Sequence, residues 1–178
     1  MLSQDSIIKP ISLALALSVA WVESCLAQPV IEEENLVAAL SLNIVRFTTW
    51  PESPSSSFNL CVYGDNVTKE AFSSLEAKPL GSRNIHVLTL DRLIDLDRCQ
   101  AIYIHEMRQN LLSQVFNDLK RRPILSLGST EGFAENGGMI GLRKVNGKLA
   151  IDINLRVTNE AGIVISSRLL SLANIVEP

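Results

Sequence analysis

Apolar residues recur at helical spacing early in the chain, where Leu36, Val37, Leu40, Ile44 and Phe47 fall on one stripe. Glu32, Glu33 and Glu34 load the first turn with the charge that a helix N-terminus favours. An amphipathic helix is therefore expected over residues 31–49, stopped at Trp50-Pro51 because proline disfavours helical geometry in the residue before it. The Pro- and Ser-rich run 51–57 reads as a loop. The pattern then alternates between short apolar runs and amphipathic segments. Strands are expected at 58–63, 85–90, 101–104 and 124–127, and helices at about 67–77 and 107–121. The second of these helices shows Leu111, Leu112, Val115, Phe116 and Leu119 on one face, with Lys120, Arg121 and Arg122 at its negative end. Strands separated by helical crossovers imply parallel pairing.

Past residue 138 the pattern changes. Residues 139–145 and 148–153 flank Asn146-Gly147, a hairpin signal because a type I′ turn needs positive φ at both central positions. Segments 155–161 and 166–176 read as closing helices, the last capped by Ser166 or Ser167. The expected fold class is α/β: a mixed, mainly parallel sheet covered by helices on both faces, with an antiparallel β-hairpin near the C-terminus. No internal repeat and no long linker interrupt residues 28–178, which read as a single domain.

The N-terminus changes which residues belong to that domain. Residues 11–22 are an uncharged apolar run of secretory length, shorter than the roughly 20 residues a membrane span needs. Cys25-Leu26-Ala27 follows as an approximate small-x-small site. The expectation is a signal peptide over 1–27, cleaved after Ala27, and a periplasmic mature chain beginning at Gln28. The rival is a lipoprotein site with Cys25 lipidated, against which stands the acidic Glu23 inside Val22-Glu23-Ser24-Cys25. A buried core helix over 11–22 is weaker still, because no polar face interrupts the run.

Without its leader the chain holds 15 basic and 17 acidic residues, since Lys9, Asp5 and Glu23 leave with it from totals of 16 and 19. A net charge of −2 is not built for nucleic acid. Cys61 and Cys99 remain as an even pair for which one intramolecular bridge is possible in an oxidising compartment, the alternative being two buried thiols. A bridge would need the first and third strands side by side, as in a 2-1-3 parallel order.

Catalytic constellations are not found in the sequence. The loop after the first strand has Gly64 alone where a dinucleotide fold wants Gly-x-Gly-x-x-Gly, and Gly128-Ser129-Thr130 lacks the Gly-Lys-Ser/Thr of a P-loop. His86 and His105 lie apart, without metal-ligand spacing, and no Gly-x-Ser-x-Gly elbow occurs. The expectation is a non-enzyme with no cofactor and no metal. Binding is another matter, because strand carboxyl ends face the ligand crevice of open α/β sheets. That rule selects Gly64-Asp65, His105-Glu106 and Gly128-Ser129-Thr130. Gly132, Gly137, Gly138 and Gly141 read as positive-φ turn residues before the hairpin. Arg168 could grip an anion, and Trp50 could anchor a partner; an exposed helical arginine and a packed tryptophan are the plainer readings.

An ordered set of segments carries a resemblance. Phe47-Thr48-Thr49-Trp50-Pro51, the strand from Phe58 through Gly64, Gly137-Gly138-Met139-Ile140-Gly141, Ile151-Asp152-Ile153-Asn154, Ala161-Gly162-Ile163 and the run from Ile165 to Ala173 resemble the YfiR family. The resemblance spans nearly the whole mature chain. It implies a soluble periplasmic homodimer that represses a membrane-bound diguanylate cyclase by binding its periplasmic domain, so controlling cyclic di-GMP and biofilm formation. Cys61 and Cys99 match the family's bridged pair, and the chain departs in lacking a second pair before the hairpin. The resemblance also implies a possible small metabolite, with Arg168 the position of interest. Trp50 and Arg168 are the candidate ligand or partner contacts. The alternative is a periplasmic small-molecule-binding sensor acting on another receptor, such as a histidine kinase.

Overall fold

The structure is a computed structural model that describes residues 28–51, 57–94 and 96–177. The expected leader, with Cys25, lies outside the described residues. In chain order the elements are α1 (Gln28–Arg46), β1 (Thr48–Thr49), β2 (Ser57–Tyr63), α2 (Asn66–Ser73), β3 (Pro79–Leu80), β4 (Arg83–Leu90), a 3-10 turn (Leu96–Arg98), β5 (Ala101–Ile104) and α3 (Gln109–Leu119). They continue with β6 (Leu125–Gly128), β7 (Ile140–Val145), β8 (Lys148–Ile153), α4 (Leu155–Glu160), β9 (Val164–Ile165), α5 (Ser167–Leu170) and β10 (Asn174–Ile175).

The main sheet has the order β10-β8-β7-β6-β5-β2-β4-β3. Strands β4, β2, β5, β6 and β7 pair in parallel, and β7 and β8 form the antiparallel hairpin. Its turn residues take φ 51° at Asn146 and φ 76° at Gly147, the positive pair that a type I′ turn demands. The fold class read from the sequence is the one observed. Strand alternation sends side chains to two faces. Phe58, Leu60 and Val62 of β2 pack with Val37 and Ile44 of α1 and Phe72 of α2. Cys61, between them, points the other way and joins Ile102 and Ile104 of β5 with Leu112, Val115 and Leu119 of α3. Helices thus cover both faces, and Cys61 is bridged to Cys99 with a Cα–Cα distance of 5.7 Å. The bridge fits because β2 and β5 are neighbours, with Cys61 opposite Ile102.

Two segments and the glycines before the hairpin depart most from the sequence reading. The first helix ends at Arg46, and Thr48-Thr49 instead pairs antiparallel with Val164-Ile165 as a separate two-stranded ribbon. The Thr48 hydroxyl donates to the Ile44 carbonyl at 2.8 Å, so it satisfies the helix end while the backbone turns away. The expected helix over 166–176 is one short turn, α5, followed by β10. Ser166 does cap it, its Oγ accepting from the Leu169 amide, but the chain then adds to β8 as an edge strand, where Asn174 Nδ2 donates to Asp152 Oδ1 at 2.9 Å. Of the glycines before the hairpin, Gly132 and Gly137 have positive φ and Gly138 and Gly141 do not. Gly138 is needed for space: a Cβ there would stand 2.3 Å from the Phe133 ring.

Candidate functional site

The chain leaves β2 toward β4 on one side and returns on the other as β5, which puts a crevice at the carboxyl ends of these strands. Short loops there are tied to one another. The His105 amide donates to the Tyr63 carbonyl at 2.8 Å, and the Met107 amide to Thr130 Oγ1 at 2.9 Å. Gly64 permits the close approach, since a Cβ on it would lie 2.9 Å from both His105 Cβ and Thr68 Cγ2. Asp65 is occupied as the N-cap of α2, accepting from the Thr68 amide at 2.8 Å, and that bond holds its carboxyl below the usual range. His105, Glu106 and Ser129 line a cavity of about 470 Å³ together with Glu34, Glu131 and Arg143. Of the strand-end residues expected from the sequence, His105-Glu106 and Ser129 stand in the cavity wall, and Gly64 packs against His105 from outside it.

In and behind the wall are groups that the sequence reading missed. Glu34 is 9% exposed although it sits in the first turns of α1. Its Oε2 accepts from Thr68 Oγ1 at 3.1 Å, and its Oε1 lies 3.8 Å from His105 Nδ1. Burial raises the pKa of this carboxyl, and His105 and the Thr68 hydroxyl act against the rise. Tyr103 is fully buried on β5 and stacked on Phe72 at 4.5 Å, and burial pushes its hydroxyl pKa up. The Ser129 hydroxyl acts against that rise. Tyr103 Oη, Ser129 Oγ and His105 Nδ1 are all buried with no hydrogen-bond partner among the described residues. The cations at the cavity are engaged: Arg143 pairs with the buried Asp152, and Lys144 Nζ lies 2.5 Å from Glu33 Oε2. One signal for Glu34 was available, because it lies three residues before Val37 on the stripe that continues through Ser41 and Ile44.

Because the folded pKa of Glu34 is raised, its contribution to stability is fully present below the ordinary 4.5 and is lost as pH rises through the folded value. Glu34→Gln keeps an acceptor for Thr68 and removes the ionisation. Urea denaturation across that range should therefore show the variant gaining on the parent as pH rises, and a constant difference would refute the raised pKa.

Trp50 and Arg168 lie elsewhere. Trp50 is half-buried, donates through Nε1 to the Gln100 carbonyl at 3.0 Å and meets Phe58 edge-on at 5.0 Å. Arg168 is exposed, its guanidinium 5.8 Å from the Phe47 ring centroid. The ribbon of β1 and β9 joins the two segments, but neither side chain lines the crevice cavity.

His105 makes no hydrogen bond to Ser129, and no three His, Cys, Asp or Glu residues meet in metal-holding geometry among the described residues. A family model described as YfiR/HmsC-like matches residues 34–174, from the buried glutamate to the edge strand. The chain belongs to this family. YfiR/HmsC-like proteins are periplasmic regulators rather than enzymes. The match takes in both bridged cysteines, the crevice, Trp50 and Arg168. Among solved structures, a conserved domain protein from Vibrio cholerae O1 biovar El Tor str. N16961 is similar at 12% identity and a TM-score of 0.49. That likeness covers 81% of this chain and 60% of the other. No curated protein sequence matches the chain. Among the described residues, no helix is long and apolar enough to cross a membrane.

Proposed function

We propose that this YfiR/HmsC-like chain is exported to the periplasm, with its leader cleaved after Ala27, and there binds and represses the periplasmic part of an inner-membrane diguanylate cyclase. The family match over 34–174 carries this reading. Repression needs differential affinity: the protein must bind the inactive cyclase more tightly than the active one. A homodimer with two such surfaces would suit a dimeric target. The C-terminal segment supports a contact surface, because Val164, Leu172 and Ile175 are exposed at 60%, 74% and 45% on either side of Arg168. Trp50 is a weaker contact candidate, since its indole is spent on Phe58 and Gln100.

A second reading, a small-molecule sensor serving another receptor such as a histidine kinase, is favoured by the crevice cavity of about 470 Å³ at the strand carboxyl ends. One experiment separates the two. Deleting the gene should raise cyclic di-GMP; periplasmic re-expression should lower it, and a leaderless form should not. Arg168→Ala, at an exposed position, should melt like the parent and repress less well. Unchanged cyclic di-GMP on deletion, in a strain expressing the cyclase, would defeat the repressor reading and favour the sensor.

A further inference from the structure

The chain has two Asn-Gly steps, Asn136-Gly137 and Asn146-Gly147, and the fold treats them in opposite ways. An asparagine followed by glycine is open to attack by its own backbone, because glycine has no Cβ to shield its amide nitrogen from the neighbouring side-chain amide carbon. Local structure decides whether the two atoms can meet. Asn136 is exposed, yet it is tied down: its Nδ2 donates to the Gly132 carbonyl at 2.7 Å, and its own amide donates to the same oxygen at 2.9 Å. The nucleophile there is engaged as well, since the Gly137 amide donates to the Ala134 carbonyl at 3.3 Å. The following amide, that of Gly138, donates to the Phe133 carbonyl at 2.9 Å, so the whole step is pinned to the loop around a buried ring. Asn146 is the reverse case. It and Gly147 are exposed at the outer end of the β7–β8 hairpin, where the ladder stops with Val145 opposite Lys148. Neither the Asn146 side chain nor the Gly147 amide makes a hydrogen bond among the described residues.

We propose that Asn146 is a site of spontaneous deamidation and isoaspartate formation in the folded protein, and that Asn136 is protected from it. The Gly147 nitrogen gives its proton to hydroxide and bonds to Asn146 Cγ. Nδ2 takes a proton from water and leaves as ammonia, which closes a succinimide ring. Water then opens the ring at one carbonyl or the other, leaving isoaspartate or aspartate at position 146. The consequences follow from the position. Either product places a carboxylate between Lys144 and Lys148, both exposed, and Lys144 is the residue whose Nζ reaches Glu33 on α1. Isoaspartate also routes the main chain through the side-chain carbon, adding an atom to a two-residue turn whose strand register depends on its length. Gly147 and Lys144 border the groove between the hairpin and α1, so the altered turn changes how the hairpin meets the first helix. The modification belongs to the chain itself and holds whichever receptor the protein acts on.

Incubation of the purified, disulfide-bonded protein at mildly alkaline pH tests it. Peptide mapping by mass spectrometry follows the amide-to-acid mass gain at each asparagine, and a protein isoaspartate methyltransferase reports the isoaspartate formed. A parallel sample in guanidinium gives the rate of each step once the fold is lost. The unfolded chain should convert both steps at similar rates, whereas the folded protein should convert Asn146 about tenfold or more faster than Asn136. Asn146→Gln should remove most of the isoaspartate from the folded protein. An Asn146 that stays intact in the folded protein over the time in which the unfolded chain converts it would overturn the proposal. So would equal rates at the two steps in the folded protein, which would mean that the hydrogen bonds of Asn136 and Gly137 give no protection, or undiminished isoaspartate in Asn146→Gln, which would place the reaction elsewhere.

Discussion

Reducing the disulfide between Cys61 and Cys99 is expected to lower the unfolding free energy by about 4 kcal/mol, in the chain-entropy account of a closed loop. The two cysteines are 38 residues apart in sequence, and the bond ties the middle of β2 to the residues just before β5. Opening it leaves the native contacts in place and frees the unfolded chain. Both residues are buried, Cys61 at 0% and Cys99 at 3% exposure, so reductant should reach the bond only when the sheet opens. Urea titrations of oxidised protein and of protein unfolded, reduced and refolded in reductant would measure the difference. A loss of about 4 kcal/mol should lower Tm by roughly 10 °C for a domain of this size. A difference below about 1 kcal/mol would mean that the bridge constrains little, contrary to the loop-entropy model.

Phe133→Ala should cost about 4 kcal/mol, the usual range for deleting a buried aromatic side chain. The Phe133 ring is 1% exposed and meets Phe116 edge-on at 5.0 Å. It lies so close to the backbones of two glycines that a Cβ on Gly128 would stand 2.2 Å from it and one on Gly138 2.3 Å. Gly128→Ala should therefore destabilise as well, by about 1–3 kcal/mol, through overpacking against the end of β6. The two changes meet at one spot, so they should not add. An alanine at position 128 would collide with the Phe133 ring in the parent and would occupy part of the hole left by Phe133→Ala, making the double variant more stable than the sum of the single losses implies. Chemical denaturation of the four proteins gives the cycle, and strict additivity would show that Phe133 does not pack between these glycines.

Phe133 also shows why some of the site was hard to read from the sequence. Gly138 read as a positive-φ turn residue and Gly128 as a strand end facing the crevice, since glycine is the residue that turns use. Gly138 is instead there to admit a ring, and the partner of a close approach is not a local property. Glu34 has the same history. Its place in an acidic first turn favours the helix dipole, and that local explanation is sufficient until α1 is laid against α2 and β5, where Thr68 and His105 take it up. Tyr103 gave no signal beyond an apolar strand position, because its meaning lies in an unsatisfied hydroxyl that exists only once the sheet and α1 enclose it.

What the amino-acid sequence determined alone was whatever depends on neighbours along the chain. The period of apolar residues set the type and order of the larger elements from α1 through the hairpin, and Asn146-Gly147 set the turn because positive φ is a residue property. The strand-end rule located the crevice from the order of elements, and the cysteine pair implied the adjacency of β2 and β5 that the sheet displays. Tertiary structure decided the rest. The two-residue strands β1, β9 and β10 are too short to have a period, and they exist because distant backbone offers hydrogen bonds that outweigh another turn of helix. It also decided which carboxylate is buried and which hydroxyls lack partners, because burial and hydrogen bonding across the fold are set by segments that meet only after folding.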